Sequence, residues 1–110
     1  MRPAGHYITF AVKLEYFEAI KSGEKTEEYR KRTPYWEKRL FGNGLEPIQF
    51  DFVEITHGYP KANDMSRRLI FPWRGLVEKT ITHPHFGPNP VDVYAIDVSG
   101  HPSGGDRHGE

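Results

Sequence analysis

The densest chemistry in the chain lies in Gly23-Glu24-Lys25-Thr26-Glu27-Glu28-Tyr29-Arg30. A helix that stops at Gly23 and yields to a strand holds Lys25, Glu28 and Arg30 together at the mouth of that strand. Two cations around one carboxylate can bind a phosphate. They can also read a base edge, the glutamate accepting and the arginine fork donating. If burial lowers the lysine pKa, they can move protons, with Lys25 as base and Glu28 as its partner or acid. The plainest use of the same three residues is a structural ion pair on a solvated strand.

Three further groups add to this one. Arg30, Lys31, Arg32, Lys38 and Arg39 interleave with Tyr35 and Trp36, and only Glu37 opposes them. Phosphates can sit on the cations while a base stacks on Trp36 or Tyr35, at ~1–3 kcal/mol per stacked base. The competing use is an amphipathic helix that buries Trp36 and Leu40. Arg67, Arg68 and Arg74 with Trp73 form a second basic group, placed to line the other wall of a cleft or to plug one end of the fold. His57-Gly58-Tyr59-Pro60 ends a strong strand, where a loop histidine and tyrosine can touch a ligand. His83-Pro84-His85 lacks a third ligand at suitable spacing, so no metal and no cofactor are expected. His101 and His108 fall in a polar tail.

The elements that position these groups follow from pattern. His6–Val12 is rich in β-formers and reads as a strand. Leu14, Phe17 and Ile20 recur at helical spacing and stop at Gly23, which predicts a helix over 14–22. Lys25–Lys31 is too charged for a helix with a core face and reads as a strand. Thr33-Pro34 is an N-cap with proline at the first helical position, and predicts a helix from Pro34 to Leu40. Ile48–Thr56, Leu69–Phe71, Leu76–Thr82 and Val91–Ser99 read as strands. Pro and Gly punctuate the loops at 58–64 and 83–90.

Composition bounds the rest. At 110 residues the chain supports one domain. Lys+Arg and Asp+Glu are both 15, which excludes a coater of nucleic acid driven by bulk charge. Cysteine is absent, which excludes disulfides, thiolate metal sites and thiol nucleophiles, and suits a reducing, cytoplasmic setting. No apolar run is long enough for a membrane span, and no signal peptide is read at the N-terminus. Residues 100–110 hold no large apolar side chain and are expected to form a disordered tail after a domain at 6–99.

The pattern Gly23-x-Lys25-x-x-Glu28-x-Arg30, preceded by Tyr16-Phe17-x-x-Ile20-x-x-Gly23, resembles the signature of the ASCH domain family, within the PUA-like superfamily. The resemblance covers most of 6–99. It implies an α+β fold: a small PUA-like mixed β-barrel of five to six strands with two short flanking helices. It further implies binding of RNA, or another single-stranded nucleic acid, in a cleft beside the signature. The expected contacts are Lys25, Glu28, Arg30, Arg32, Trp36, Lys38, Arg67, Trp73 and Arg74. Some small members of the family are hydrolases of N4-acetylcytidine with a Thr nucleophile and a Lys base. Lys25 matches the lysine, but Glu28 stands at the nucleophile position. Others cleave RNA, and others resemble phage accessory proteins that bind a protein partner. Those activities stand as the alternatives.

Overall fold

A computed structural model of the chain describes residues 2–105. Its order is β1 (Tyr7–Val12), α1 (Leu14–Ser22), β2 (Glu27–Lys31), α2 (Pro34–Phe41), β3 (Phe52–His57), β4 (Arg68–Pro72), β5 (Leu76–Ile81), β6 (Val91–Asp97) and β7 (Ser103–Gly104). The fold is α+β, and the seven strands form two sheets. One runs β1-β3-β4-β7 and the other β2-β6-β5. β1 and β3 are parallel, which requires a long crossover, and α1, β2 and α2 supply it. Every other pairing is antiparallel.

The core lies where the two sheets face each other. Ile8 and Phe10 of β1, Val53 and Ile55 of β3, and Leu69 and Phe71 of β4 alternate onto one inner face. Tyr94 and Ile96 of β6, with Val98 just beyond it, answer from the second sheet. Phe17 and Ile20 of α1 and Leu40 of α2 are the buried helix residues that complete the cluster. Each of these side chains contributes roughly 1.5–3 kcal/mol of burial before entropy is counted.

Local signals explain the helix ends. Gly23 sits at φ 86°, a left-handed conformation that glycine adopts without strain, and its N–H caps the Ile20 carbonyl. The Lys25 N–H then bonds the Ala19 carbonyl at 2.9 Å, turning the chain back along α1 into β2. At α2 the Thr33 hydroxyl accepts from the Trp36 N–H, with Pro34 at the first position.

Several expectations need correction. The two sheets do not close into one barrel among the described residues. β1 and β2 each form the free edge of a sheet and share no ladder. Arg30 bridges the gap, donating to the Ala11 carbonyl at 2.9 Å. The strand count is seven rather than five or six, because the region read as tail contributes one. Ser103 and Gly104 pair with Ile70 and Leu69. No apolar side chain drives this. Instead, two glycines allow backbone to press against backbone: a Cβ on Gly104 would collide with the Arg68 carbonyl, and one on Gly105 with the Leu69 side chain. Residues 106–110 of the expected tail, His108 included, lie outside the described residues. The strand expected from Ile48 begins at Phe52. Phe50 instead turns into the core against His6 and Trp73. Among the described residues no helix is long and apolar enough to cross a membrane.

β3 is buried on both faces, but its outer face carries a carboxylate. Glu54, 1% exposed, is held by Arg2 at 2.9 Å, Arg68 at 3.3 Å and the Thr9 hydroxyl at 3.1 Å. Arg68 also donates to the Pro60 and Lys61 carbonyls, tying the 58–64 loop over this face.

Candidate nucleic-acid interface

The free edges of β1 and β2 leave a gap between the sheets, and the gap is a cleft of about 550 Å³. Small-molecule sites span ~300–1,000 Å³, so this is room for one compact ligand unit. The end of β1 and Gly58 form one side. β2 forms the other, Trp36 contributes from α2, and the short 3-10 turn Pro84–Phe86 contributes His85 and Phe86. Because β2 is an edge strand, the cleft wraps around it and takes side chains of both parities.

Glu28 is the floor. Register with Ile96 turns it, and Arg30 opposite Tyr94, toward the interior. Its side chain is 8% exposed, with Arg30 at 2.8 Å on one oxygen and Lys25 at 3.7 Å from the other. A buried charge must be paired, and here one carboxylate is shared by two cations. Arg30 is further fixed by aromatic faces, its guanidinium lying 5.0 Å from the Phe10 ring and 5.1 Å from the Trp36 ring. Its Nε is buried without a hydrogen-bond partner.

Lys25 donates to the Glu27 carbonyl and lies 4.3 Å from the Tyr29 ring centroid and 6.0 Å from that of Tyr16. Burial pushes its pKa below the ordinary lysine value, and Glu28 opposes that shift only in part. Burial also raises the Tyr29 phenol, with Glu27 adding to the effect. The Glu28 oxygen facing Lys25 has no closer partner, so the floor offers one acceptor beside one donor. Tyr16, Tyr29, Trp36 and Phe86 supply flat apolar walls above it.

Not every expected contact reaches this site. Lys25, Glu28, Arg30 and Trp36 line the cleft together. Arg32 pairs with Glu78 at 3.1 Å away from it, and Lys38 is on the exposed part of α2. Arg67 stands behind the wall, donating to the His57 carbonyl at 2.6 Å. Trp73 packs edge-on against Phe50, 5.1 Å away. Arg74 bonds the Ser99 carbonyl and faces Asp97, so it and Trp73 do not form the second wall. Thr26, the nearest hydroxyl to the motif, does not line the cleft, and neither does any other Ser or Thr.

Of the four walls, the sequence pattern assigns a binding role only to Trp36. Tyr29 sits inside the motif and Tyr16 inside the helix before it, but neither carries a contact of its own there, and nor does Phe86. His57 and Tyr59 were candidates, and both line the cleft. His83 and His85 are there as well, as ring neighbours of Tyr16 rather than as metal ligands. Among the described residues no group of three or more His, Asp or Glu is placed to hold a metal. No protein-family model, curated protein or solved structure matches the chain.

Proposed function

We propose that this chain is an ASCH-like, PUA-like module whose cleft holds one unpaired nucleotide of a single-stranded RNA. The observation that carries the reading is Glu28, buried between Lys25 and Arg30 at the floor of an aromatic-walled cleft. A base entering edge-first meets an acceptor on Glu28 and a donor on Lys25, with rings on its faces. Unpaired bases are recognised by this combination of stacking and edge hydrogen bonds. The order Gly23, Lys25, Glu28, Arg30 along a helix stop and an edge strand also follows the resemblance. A neutral chain suits a site with few phosphate contacts, where edge and stacking contacts carry more of the affinity.

The test is a backbone-amide titration by NMR with a short mixed-sequence single-stranded RNA. Shifts are expected at Tyr16, Lys25–Lys31, Trp36 and His57–Tyr59, weakening with salt, while Trp73 and Arg74 stay still. Shifts that avoid the cleft, or none at low salt, overturn the reading.

One observation favours a second reading, hydrolysis of RNA or of a modified nucleoside. Burial holds Lys25 below its ordinary pKa, which prepares a lysine to accept a proton. With no Ser or Thr lining the cleft, water would be the nucleophile, with Lys25 as base and Glu28 as its partner. Turnover that disappears in a folded Lys25→Ala variant supports it, and the absence of turnover on RNA and acylated cytidine removes it. Recognition of a protein partner in the manner of a phage accessory domain has no comparable observation behind it.

A further inference from the structure

The lining of the cleft changes in charge along α1 and β2. Lys13 and Lys31 stand exposed on its lining, and neither forms a salt bridge among the described residues. Lys31 reaches over Phe86, its ammonium 5.6 Å from the ring centroid. Toward the end of α1 and the start of β2, a second cavity adjoins the cleft and shares Tyr16, Lys25, Tyr29 and His83 with it. Four glutamates line that second cavity: Glu15, Glu18, Glu24 and Glu27. Lys79 neutralises Glu27 at 2.8 Å, but Glu15, Glu18 and Glu24 are exposed and pair with no cation among the described residues. Among the described residues Lys25 is the only Lys or Arg on its lining, and it already leans on Glu28.

This charge division constrains how a polyanion can enter. A strand threaded through the cleft would carry one flanking phosphate past Lys13 and Lys31. Its other flanking phosphate would pass three unneutralised carboxylates within the same small volume. A Debye length of ~8 Å at physiological salt screens distant charges but not neighbours in one groove. Clefts lined by one sign of charge focus their field, so each half repels its own sign.

We infer that the cleft selects the end of a strand over an internal nucleotide. The terminal nucleoside occupies the aromatic walls with its free side toward the glutamates, and the chain leaves along Lys13 and Lys31. This rests on the single-strand reading of the same cleft and adds what that reading lacks, the part of the strand that is bound. Glu15, Glu18 and Glu24 act by exclusion and touch no ligand atom.

The test compares a covalently closed single-stranded RNA circle with the same sequence opened at one bond, by competition in fluorescence anisotropy. The open strand should bind at least about tenfold tighter, equivalent to ~1.4 kcal/mol. In the combined variant E15Q/E18Q/E24Q the circle should gain and the difference should narrow. These side chains are exposed, and circular dichroism verifies that the variant folds. Equal binding of circle and open strand by the unaltered protein overturns end selection while leaving the cleft reading intact. A difference that survives in the variant overturns the role of the glutamates. Failure of both RNAs to bind sinks the single-strand reading, and end selection with it.

Discussion

Glu28→Gln separates a functional clamp from a decorative ion pair. The substitution keeps size and one hydrogen bond but removes the only carboxylate between Lys25 and Arg30. Taking one partner from a fully buried pair costs ~3–5 kcal/mol, because the remaining charge stays buried. Here the Lys25 and Arg30 side chains keep 16% and 21% exposure, so water screens part of that cost. The glutamine also retains a hydrogen bond from Arg30, weaker than the carboxylate's, which offsets part of the loss. What remains is about 2–3 kcal/mol. With a urea slope of ~1.5 kcal/mol per molar, the unfolding midpoint falls by roughly 1.3–2 M. Glu78→Gln is the control, since the Glu78–Arg32 pair is 55% and 37% exposed. Its loss should not exceed ~0.5 kcal/mol. Alkaline pH adds a second readout. Lys25 has a folded pKa below 10.5, so the unfolded chain binds more protons between the two values. Stability from this group therefore rises with pH across that window. Without Glu28 the folded value drops further and the window widens, so the deficit of the variant shrinks as pH approaches 10.5. A Glu28→Gln loss as small as that of Glu78→Gln, with no alkaline recovery, would refute the clamp.

Trp36 lines the cleft and Trp73 does not, so a single-tryptophan Trp73→Phe protein should change emission on adding single-stranded RNA. The reciprocal Trp36→Phe protein should not. Gly104→Ala should lower stability by about 1–2 kcal/mol in urea, because φ is 86° and the new methyl meets the Arg68 carbonyl. Lost protection of the Leu69 and Ile70 amides in hydrogen exchange would localise the loss to β7, and an unchanged midpoint would contradict the pairing. Lys79 bonds Glu27 and is the largest cause of its lowered pKa, so this pair stabilises above pH 4.5 and fades as pH falls through the folded value. Lys79→Met should flatten the acid limb of the stability profile, and an unaltered limb assigns the shift elsewhere. With Lys13 and Lys31 as phosphate partners, the salt slope for single-stranded RNA should be about −1.4. A slope steeper than roughly −4 would mean a far larger basic surface than this cleft provides.

Periodicity and punctuation were enough for the elements that place the site. The spacing of Leu14, Phe17 and Ile20 before Gly23 read directly as α1 and its stop. The shared parity of Glu28 and Arg30 put both on one face of β2, and the structure brings Lys25 to them. What stayed hidden depends on distances that no local pattern encodes. Trp73-Arg74 looked like a second wall by composition alone, but it follows β4 and packs at Phe50 and Ser99 instead. Tyr29 became a wall because β2 lies at a sheet edge, which is a property of topology. β7 formed without a hydrophobic residue, through the close backbone approach that Gly104 permits. Glu54 did carry a signal, a carboxylate inside Phe52-Val53-Glu54-Ile55. A charge in the middle of an apolar strand has to be exposed or paired, and only the fold could bring Arg2, Arg68 and Thr9 to it.

The zero net charge is the feature most at odds with the proposed nucleic-acid interface, and local pairing of charges reconciles the two. Some charges cancel locally: Arg32 with Glu78, Lys79 with Glu27, Arg68 with Glu54. Those pairs brace the sheets and leave little field outside. Around the cleft, the charges that do not cancel stand apart. The glutamates Glu15, Glu18 and Glu24 lie along α1 and the turn after it, while Lys13 and Lys31 stand at the ends of the two edge strands. A balanced total with an unbalanced cleft weakens indiscriminate binding, which follows summed charge, and keeps the local gradient that orients a bound strand. A strongly basic chain would gain affinity everywhere along RNA and lose the distinction between an end and an interior position. On this view neutrality and the polar division of the cleft are one design. Adding surface lysines far from the cleft should therefore raise binding to circle and open strand alike and erode the preference between them.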